Sequence, residues 1–293
     1  MNPYEQFVKG MAGLLAAAES YPLGGFAPPV WTAPAEGAPA VLIFAPHPDD
    51  EVIIGALPLR LQRELGARVL NVAVTLGSDR GRRAGRLAEL RGACEYLGFG
   101  LLEASEGGLE NITRAGREEA PEGWAEAVEG VGEILLAHRP LAVFFPHEAD
   151  ANSTHTGTHL LVRDALKRAG KGFSCFTFET EFWHPMTGAN LLVESSVGEV
   201  ADLVTALTFH AGEVRRNPYH LRLPAWMMDN VRRGGEVVGR QGGEPPRFAF
   251  GTIYRAGRWE GGRPVEAAGA GRFVGSGDDL SALFAMPGAG DHS

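Results

Sequence analysis

Lysine, cysteine and long apolar runs are all scarce in this 293-residue sequence, and each shortage excludes something. Lysine occurs only at positions 9, 167 and 171 and the net charge is −9, so the uniform positive field that non-specific nucleic-acid binding needs is missing. Nucleic acid is not an expected partner. The two cysteines, Cys94 and Cys175, sit in apolar surroundings and form no CxxC pair, which argues against a disulfide framework and against a thiolate metal site. Any metal must use histidine and carboxylate. No apolar run approaches the roughly 18–20 residues of a membrane-spanning helix, and the stretch from Met11 to Ala18 is short, with Glu5 and Lys9 ahead of it. That stretch reads as an amphipathic helix of a cytoplasmic protein with no membrane partner. There is also no GxGxxG after the first strand, no GxxxxGK(S/T) loop and no GxSxG elbow, so nucleotide-binding and serine-nucleophile scaffolds are disfavoured.

What is present is an ordinary globular composition, 44% hydrophobic and 22% charged, long enough for a full core. Residues 21–40 are rich in Pro, Gly and Ala without a period and read as an irregular lead-in. Val41 to Ala45 is a continuous apolar run of the kind buried on both faces of a sheet, and Ala67 to Thr75, Leu141 to Phe145 and Phe173 to Thr180 repeat that character. Between them, Leu87, Leu90, Ala93 and Leu97 recur at helical spacing, as do Trp124, Val128, Val131 and Leu135. Pro58 should kink or restart the first helix. The alternation predicts an α/β protein with a mainly parallel sheet and helices on both faces. After Leu191 the pattern loosens into one helix from Val200 to Val214, a Gly/Arg-rich segment through Pro246 and a last strand from Phe248 to Tyr254. The expected organisation is a helix and lead-in over residues 1–40, one α/β domain with a C-terminal extension over 41–286, and a frayed tail over 287–293.

The densest chemical signal is Ala45-Pro46-His47-Pro48-Asp49-Asp50-Glu51, between the first strand and the first helix. Ligands of open parallel sheets bind at the carboxyl ends of strands, so this imidazole and its three acids point into the crevice. One carboxylate would suffice to cap the helix. Three beside a histidine repel one another without a cation, which favours a metal. A second cluster, His147 to His159, follows the strand at 141–145. A helix starting near Thr154 places His155 and His159 one turn apart on one face. Asn152 or Ser153 is a good N-cap, and for Asn152 that role competes with a catalytic one. The Asp150-Ala-Asn152-Ser-Thr154 stretch fails as a calcium loop, because His155 stands where glycine is required. His47, Asp50 and one later histidine make a His₂-carboxylate set that suits zinc and leaves a coordination position open. Asp49, next to a ligand but directed elsewhere by the turn, is the natural general base. Glu51 fixes the loop by hydrogen bonds. Trp183 and His184, beside Glu181, form a wall for a sugar ring, or the tryptophan packs in the core.

His47-Pro48-Asp49-Asp50-Glu51 after a strand, Thr75-Leu76-Gly77, Arg86-x-x-Glu89 and the later His-bearing helix start together resemble the LmbE-like (PIG-L) deacetylase family, over roughly residues 41–165. The resemblance implies a Rossmann-like fold and zinc-dependent removal of an acyl group from an amide nitrogen, commonly the N-acetyl of a glucosamine unit. It implies His47, Asp50 and a later histidine as ligands of one zinc ion, with Asp49 as base. Aligned with the family's His-x-x-His, Asn152-Ser153-Thr154-His155 makes His155 the third ligand and puts Asn152 where relatives carry a histidine. An amide cannot deliver a proton. Asp49 itself, then His159 or His147, are the candidates to protonate the leaving amine. Arg86 matches a position that can meet the substrate, or is a helix arginine paired with an acid. The expected partner is a small N-acyl amino sugar or its conjugate, with another amide or a non-catalytic sugar-binding protein as alternatives. A homo-oligomer is left open.

Overall fold

The computed structural model describes residues 2–266 and 271–285; the tail expected over 287–293 lies outside them. After helix α1 (Pro3–Ala18), which buries no side chain, the irregular lead-in reaches β1 (Ala40–Ala45). There follow α2 (Asp50–Ile53), α3 (Leu57–Leu65), β2 (Arg68–Ala73), α4 (Arg83–Leu97) and β3 (Gly100–Glu103). Next come α5 (Arg114–Glu119), α6 (Pro121–His138), β4 (Ala142–Pro146), α7 (Ser153–Arg168), β5 (Cys175–Thr180) and β6 (Leu191–Ser195). The chain ends with α8 (Val197–Leu207), α9 (Ala211–Val214), α10 (Leu223–Val237), β7 (Phe250–Glu260), β8 (Arg263–Glu266) and β9 (Arg272–Val274).

The nine strands of the described residues form one sheet, ordered β3-β2-β1-β4-β5-β7-β6-β9 with β8 on β7. From β3 through β5 every pairing is parallel, and only β7 runs antiparallel to its neighbours β5, β6 and β8. Alternation along β1 feeds two cores. Val41, Ile43 and Ala45 pack with Leu57, Leu61, Leu90 and Leu203 on one face, while Leu42 and Phe44 meet Val131, Leu135 and Leu161 on the other. This is why β1 reads as an unbroken apolar run. The strand order reverses direction about the β1–β4 pair, which opens a crevice beyond the carboxyl ends of those two strands.

One local expectation is met and two change. Of the kink or restart expected at Pro58, the helix restarts: α2 ends at Ile53 and α3 begins at Leu57 with the proline in its first turn. The single helix expected from Val200 to Val214 starts earlier, at a Ser196–Glu199 capping box, and breaks between Leu207 and Ala211. The break lets His210 turn into the interior. The Gly/Arg-rich segment contains α10, and the C-terminal extension is part of the sheet, since β7 lies between β5 and β6. No helix among the described residues is long and apolar enough to cross a membrane.

Candidate metal centre

The loop after β1 and the start of α7 after β4 meet at the crevice. His47, Asp50 and His155 each bring a ligand atom to within 4.8 Å of the others. Asp50 Oδ2 lies 3.3 Å from His47 Nδ1 and 3.2 Å from His155 Nε2. His155 is completely buried and neither of its ring nitrogens has a hydrogen-bond partner. An orphaned, buried imidazole beside a carboxylate is costly unless something takes its lone pair, and a divalent cation does so. The donor set and this orphan both fit zinc. Burial opposes a charge on His155, but the Asp50 carboxylate lifts it above the ordinary imidazole value. Burial likewise opposes a charge on Asp50, yet His155 and His47 hold its carboxyl well below the usual range. Asp150 Oδ1, 3.6 Å from His155 Nδ1, backs the ring from the far side. Asp150 is itself fixed by the backbone N–H groups of Asn152 and Trp183.

Asp49 adopts φ 116°, a left-handed conformation that a non-glycine residue keeps only when its surroundings enforce it. Here they do. The Asp49 N–H donates to Glu51 Oε2 at 2.8 Å, His210 donates to Glu51 Oε1 at 2.7 Å, and Arg86 donates to the Pro48 carbonyl at 3.1 Å. The Arg86 guanidinium fits against Gly77 (φ 90°), where a Cβ would stand 2.3 Å from Arg86 Nη1. The Asp49 carboxylate accepts from the Tyr219 hydroxyl at 2.5 Å. Burial first, and then the neighbouring Asp50, push its carboxyl up to about 7.

The remaining candidates have other engagements. Asn152 caps α7, its side-chain oxygen accepting from the N–H groups of Thr154 and His155. His159, although one turn from His155, donates through Nδ1 to the Pro146 carbonyl at 3.0 Å and belongs with Glu148 and Glu179. That group, bridged by Arg255, borders a hollow of about 780 Å³ that includes none of His47, Asp49, Asp50 or His155. Burial brings His159 down to about 4. The His147 ring is engaged at both nitrogens, with the His184 carbonyl and the Ala149 N–H, and burial holds it below its ordinary value. Arg86 is a largely buried loop brace. Trp183 is 58% exposed, so core packing is excluded for it, and it stands on a small hollow beside the metal centre. Sequence reasoning missed Tyr219 and gave Asp150 no role, because neither lies at a motif spacing that reports its contact. Glu51 acts as read, but the link from it to His210 is visible only in three dimensions.

Residues 42–166 match the model of the PIG-L family, described as GlcNAc-PI de-N-acetylase. No curated protein matches the chain by sequence. Among solved structures, the chain is similar to an N,N'-diacetylchitobiose deacetylase from Pyrococcus horikoshii in complex with an inhibitor, at 17% identity and TM-score 0.55, over 89% of this chain and 94% of that one. It is similar to a 4-carboxy-2-hydroxymuconate hydratase from Pseudomonas putida KT2440 at 14% identity and TM-score 0.54, over 75% and 95%. Teicoplanin deacetylase in a zinc-inhibited form gives 15% identity and TM-score 0.53, over 74% and 97%. At these identities the likeness is one of fold, a mixed α/β architecture around a mostly parallel sheet. The family match adds to this: the segment 42–166, which carries both motifs of the crevice, is similar to the PIG-L, or LmbE-like, proteins.

Proposed function

We propose that the protein is a zinc-dependent amidohydrolase that removes the acyl group from an N-acylated amino sugar of the N-acetylglucosamine type, or from a conjugate of one. The observation that carries this reading is the convergence of His47, Asp50 and His155 on one point beside the half-buried Asp49. His47, Asp50 and His155 would hold the cation. When bound, it makes water acidic enough to attack near neutral pH and polarises the amide carbonyl. Asp49 takes the proton from the attacking water and returns it to the departing amine as the C–N bond breaks. A carboxylate whose hold on a proton is strengthened by burial suits a group that must both accept and release one. The Tyr219 hydroxyl, donating to Asp49 Oδ2, keeps that carboxylate aimed and anionic. With Asn152 committed to the helix cap and both nitrogens of His147 occupied, Asp49 is left as the proton carrier in both directions.

Elemental analysis joined to an amine-release assay on N-acetyl amino sugars tests the proposal. Stoichiometric zinc is expected in the wild type and in Asp49→Asn, and loss of zinc in His47→Ala, Asp50→Ala and His155→Ala. Turnover of Asp49→Asn should fall by about 10²–10⁴. Wild-type turnover in Asp49→Asn overturns the base assignment. Zinc with no amine release from any sugar favours a binding protein on the same fold.

A further inference from the structure

A hollow of about 150 Å³ opens next to the metal centre, walled by Ile53, Phe182, Trp183, Tyr219, Leu223 and Trp226. Three of these walls are tied to the centre itself. Ile53 lies in α2 three residues after Asp50, the Phe182 ring meets the His155 ring edge-on at 4.8 Å, and the Tyr219 hydroxyl rests on Asp49. A group occupying the hollow is therefore attached close to the reacting carbonyl. The wall is apolar, its one charged residue being Arg222, and the Tyr219 hydroxyl is already engaged. Of the two groups flanking the amide carbonyl, an amino sugar brings hydroxyls that such a wall leaves unpaired, whereas an acyl chain brings hydrocarbon. A cavity of about 150 Å³ with an apolar lining takes a benzene ring, so acetyl underfills this one.

We propose that the hollow binds the acyl chain of the substrate and selects chains of about five or six carbons, or a benzoyl group, over acetyl. The proposal deepens the amidohydrolase reading and rests on it. The reaction is hydrolysis throughout: the oxygen of water joins the acyl carbon, the C–N bond breaks, and a hexanoate and a free amine result. Each methylene taken from water is worth about fourfold in binding. N-hexanoylglucosamine, with four more methylenes than the N-acetyl compound, should be preferred by roughly tenfold or more in kcat/KM, even in a half-open hollow.

The experiment compares amine release from N-acetyl-, N-butanoyl-, N-hexanoyl- and N-benzoylglucosamine by the zinc-loaded protein. Trp183→Ala, which removes an exposed wall and does not threaten folding, should cut the hexanoyl-to-acetyl ratio several-fold. Ile53→Phe, which fills the hollow from a half-buried position, should do the same. A wild-type ratio at or below one, or a ratio unchanged in both variants, overturns the proposal. If none of the four amides releases amine, the hydrolase reading fails and the hollow is judged by calorimetric titration. Hexanoate binding roughly tenfold tighter than acetate, with the difference lost in Ile53→Phe, upholds an acyl-chain site, and equal affinities refute it.

Discussion

Asp49 sits in a backbone conformation that costs about 1–3 kcal/mol, and the loop around it is braced by Glu51, His210 and Arg86 rather than left to relax. Asp49 rests on the Tyr219 hydroxyl while Asp50 meets His47 and His155, so the two consecutive acids have different partners. Burial and Asp50 raise the Asp49 pKa, and the Tyr219 hydroxyl acts against them. A cation on Asp50 also lowers it, in the same direction as Tyr219. Tyr219→Phe therefore raises the Asp49 pKa, and with Asp49 as the proposed base, which acts in its ionised form, the acid limb of the kcat/KM profile should move to higher pH. At the acid end the variant should be about tenfold slower, the worth of a hydrogen bond to a charged group, and the deficit should close as pH rises. A pH-independent deficit would mean that Tyr219 acts on something other than the protonation of Asp49. His47, Asp49 and Asp50 stand out in the sequence because a strand end followed by histidine and acids is a local pattern, whereas His155 is set apart from His159 only by the family resemblance. Tyr219 and the Glu51–His210 link do not stand out, because 170 and 159 residues of chain separate those partners.

At the scale of elements, α7 joins structure to chemistry, since its first turn carries His155 and its cap is Asn152. The cap oxygen and the side-chain NH₂ of Asn152 can be separated by substitution. Asn152→Ala should lower stability by about 1 kcal/mol, whereas Asn152→Asp, which keeps the accepting oxygen, should unfold close to the wild type. If Asn152→Asp also keeps its turnover, the residue is a cap alone, and a loss of rate at unchanged stability would give the NH₂ a part in the reaction. Denaturant melts alongside amine release make the separation. The elements that escaped sequence reading share a physical cause. The strand β3 is four residues at the sheet edge, half-buried, and therefore lacks the apolar run that announces β1. Gly234 and Gly235 interrupt the sequence pattern of α10, yet they are buried there. A Cβ on Gly234 would stand 2.6 Å from Leu192 Cδ2, so glycine serves close packing where composition suggested a loop.

Over the whole molecule, the fold does not fix the reaction, because similar architectures carry both deacetylases and a hydratase. What ties this molecule's fold to its crevice is β7. The strand pairs with β5 on one side and β6 on the other, and its Tyr254 packs against Phe144 of β4 and Phe178 of β5. The Tyr254 hydroxyl then donates to the carbonyl of Ile54, the residue that caps α2, at 2.7 Å. Removing residues 246–293 would strip two strands of their partner and leave long unpaired edges, a template for aggregation. It would also free the far end of the helix that begins at Asp50. Such a truncated chain should be recovered mainly as aggregate, with no cooperative unfolding transition. Tyr254→Phe, which keeps the ring packing and loses only the hydroxyl, should fold, with stability reduced by about 1 kcal/mol and weakened zinc retention against a chelator. A soluble 1–245 chain that melts cooperatively and holds zinc would show that the crevice is built without β7, and that β7 only lengthens the sheet.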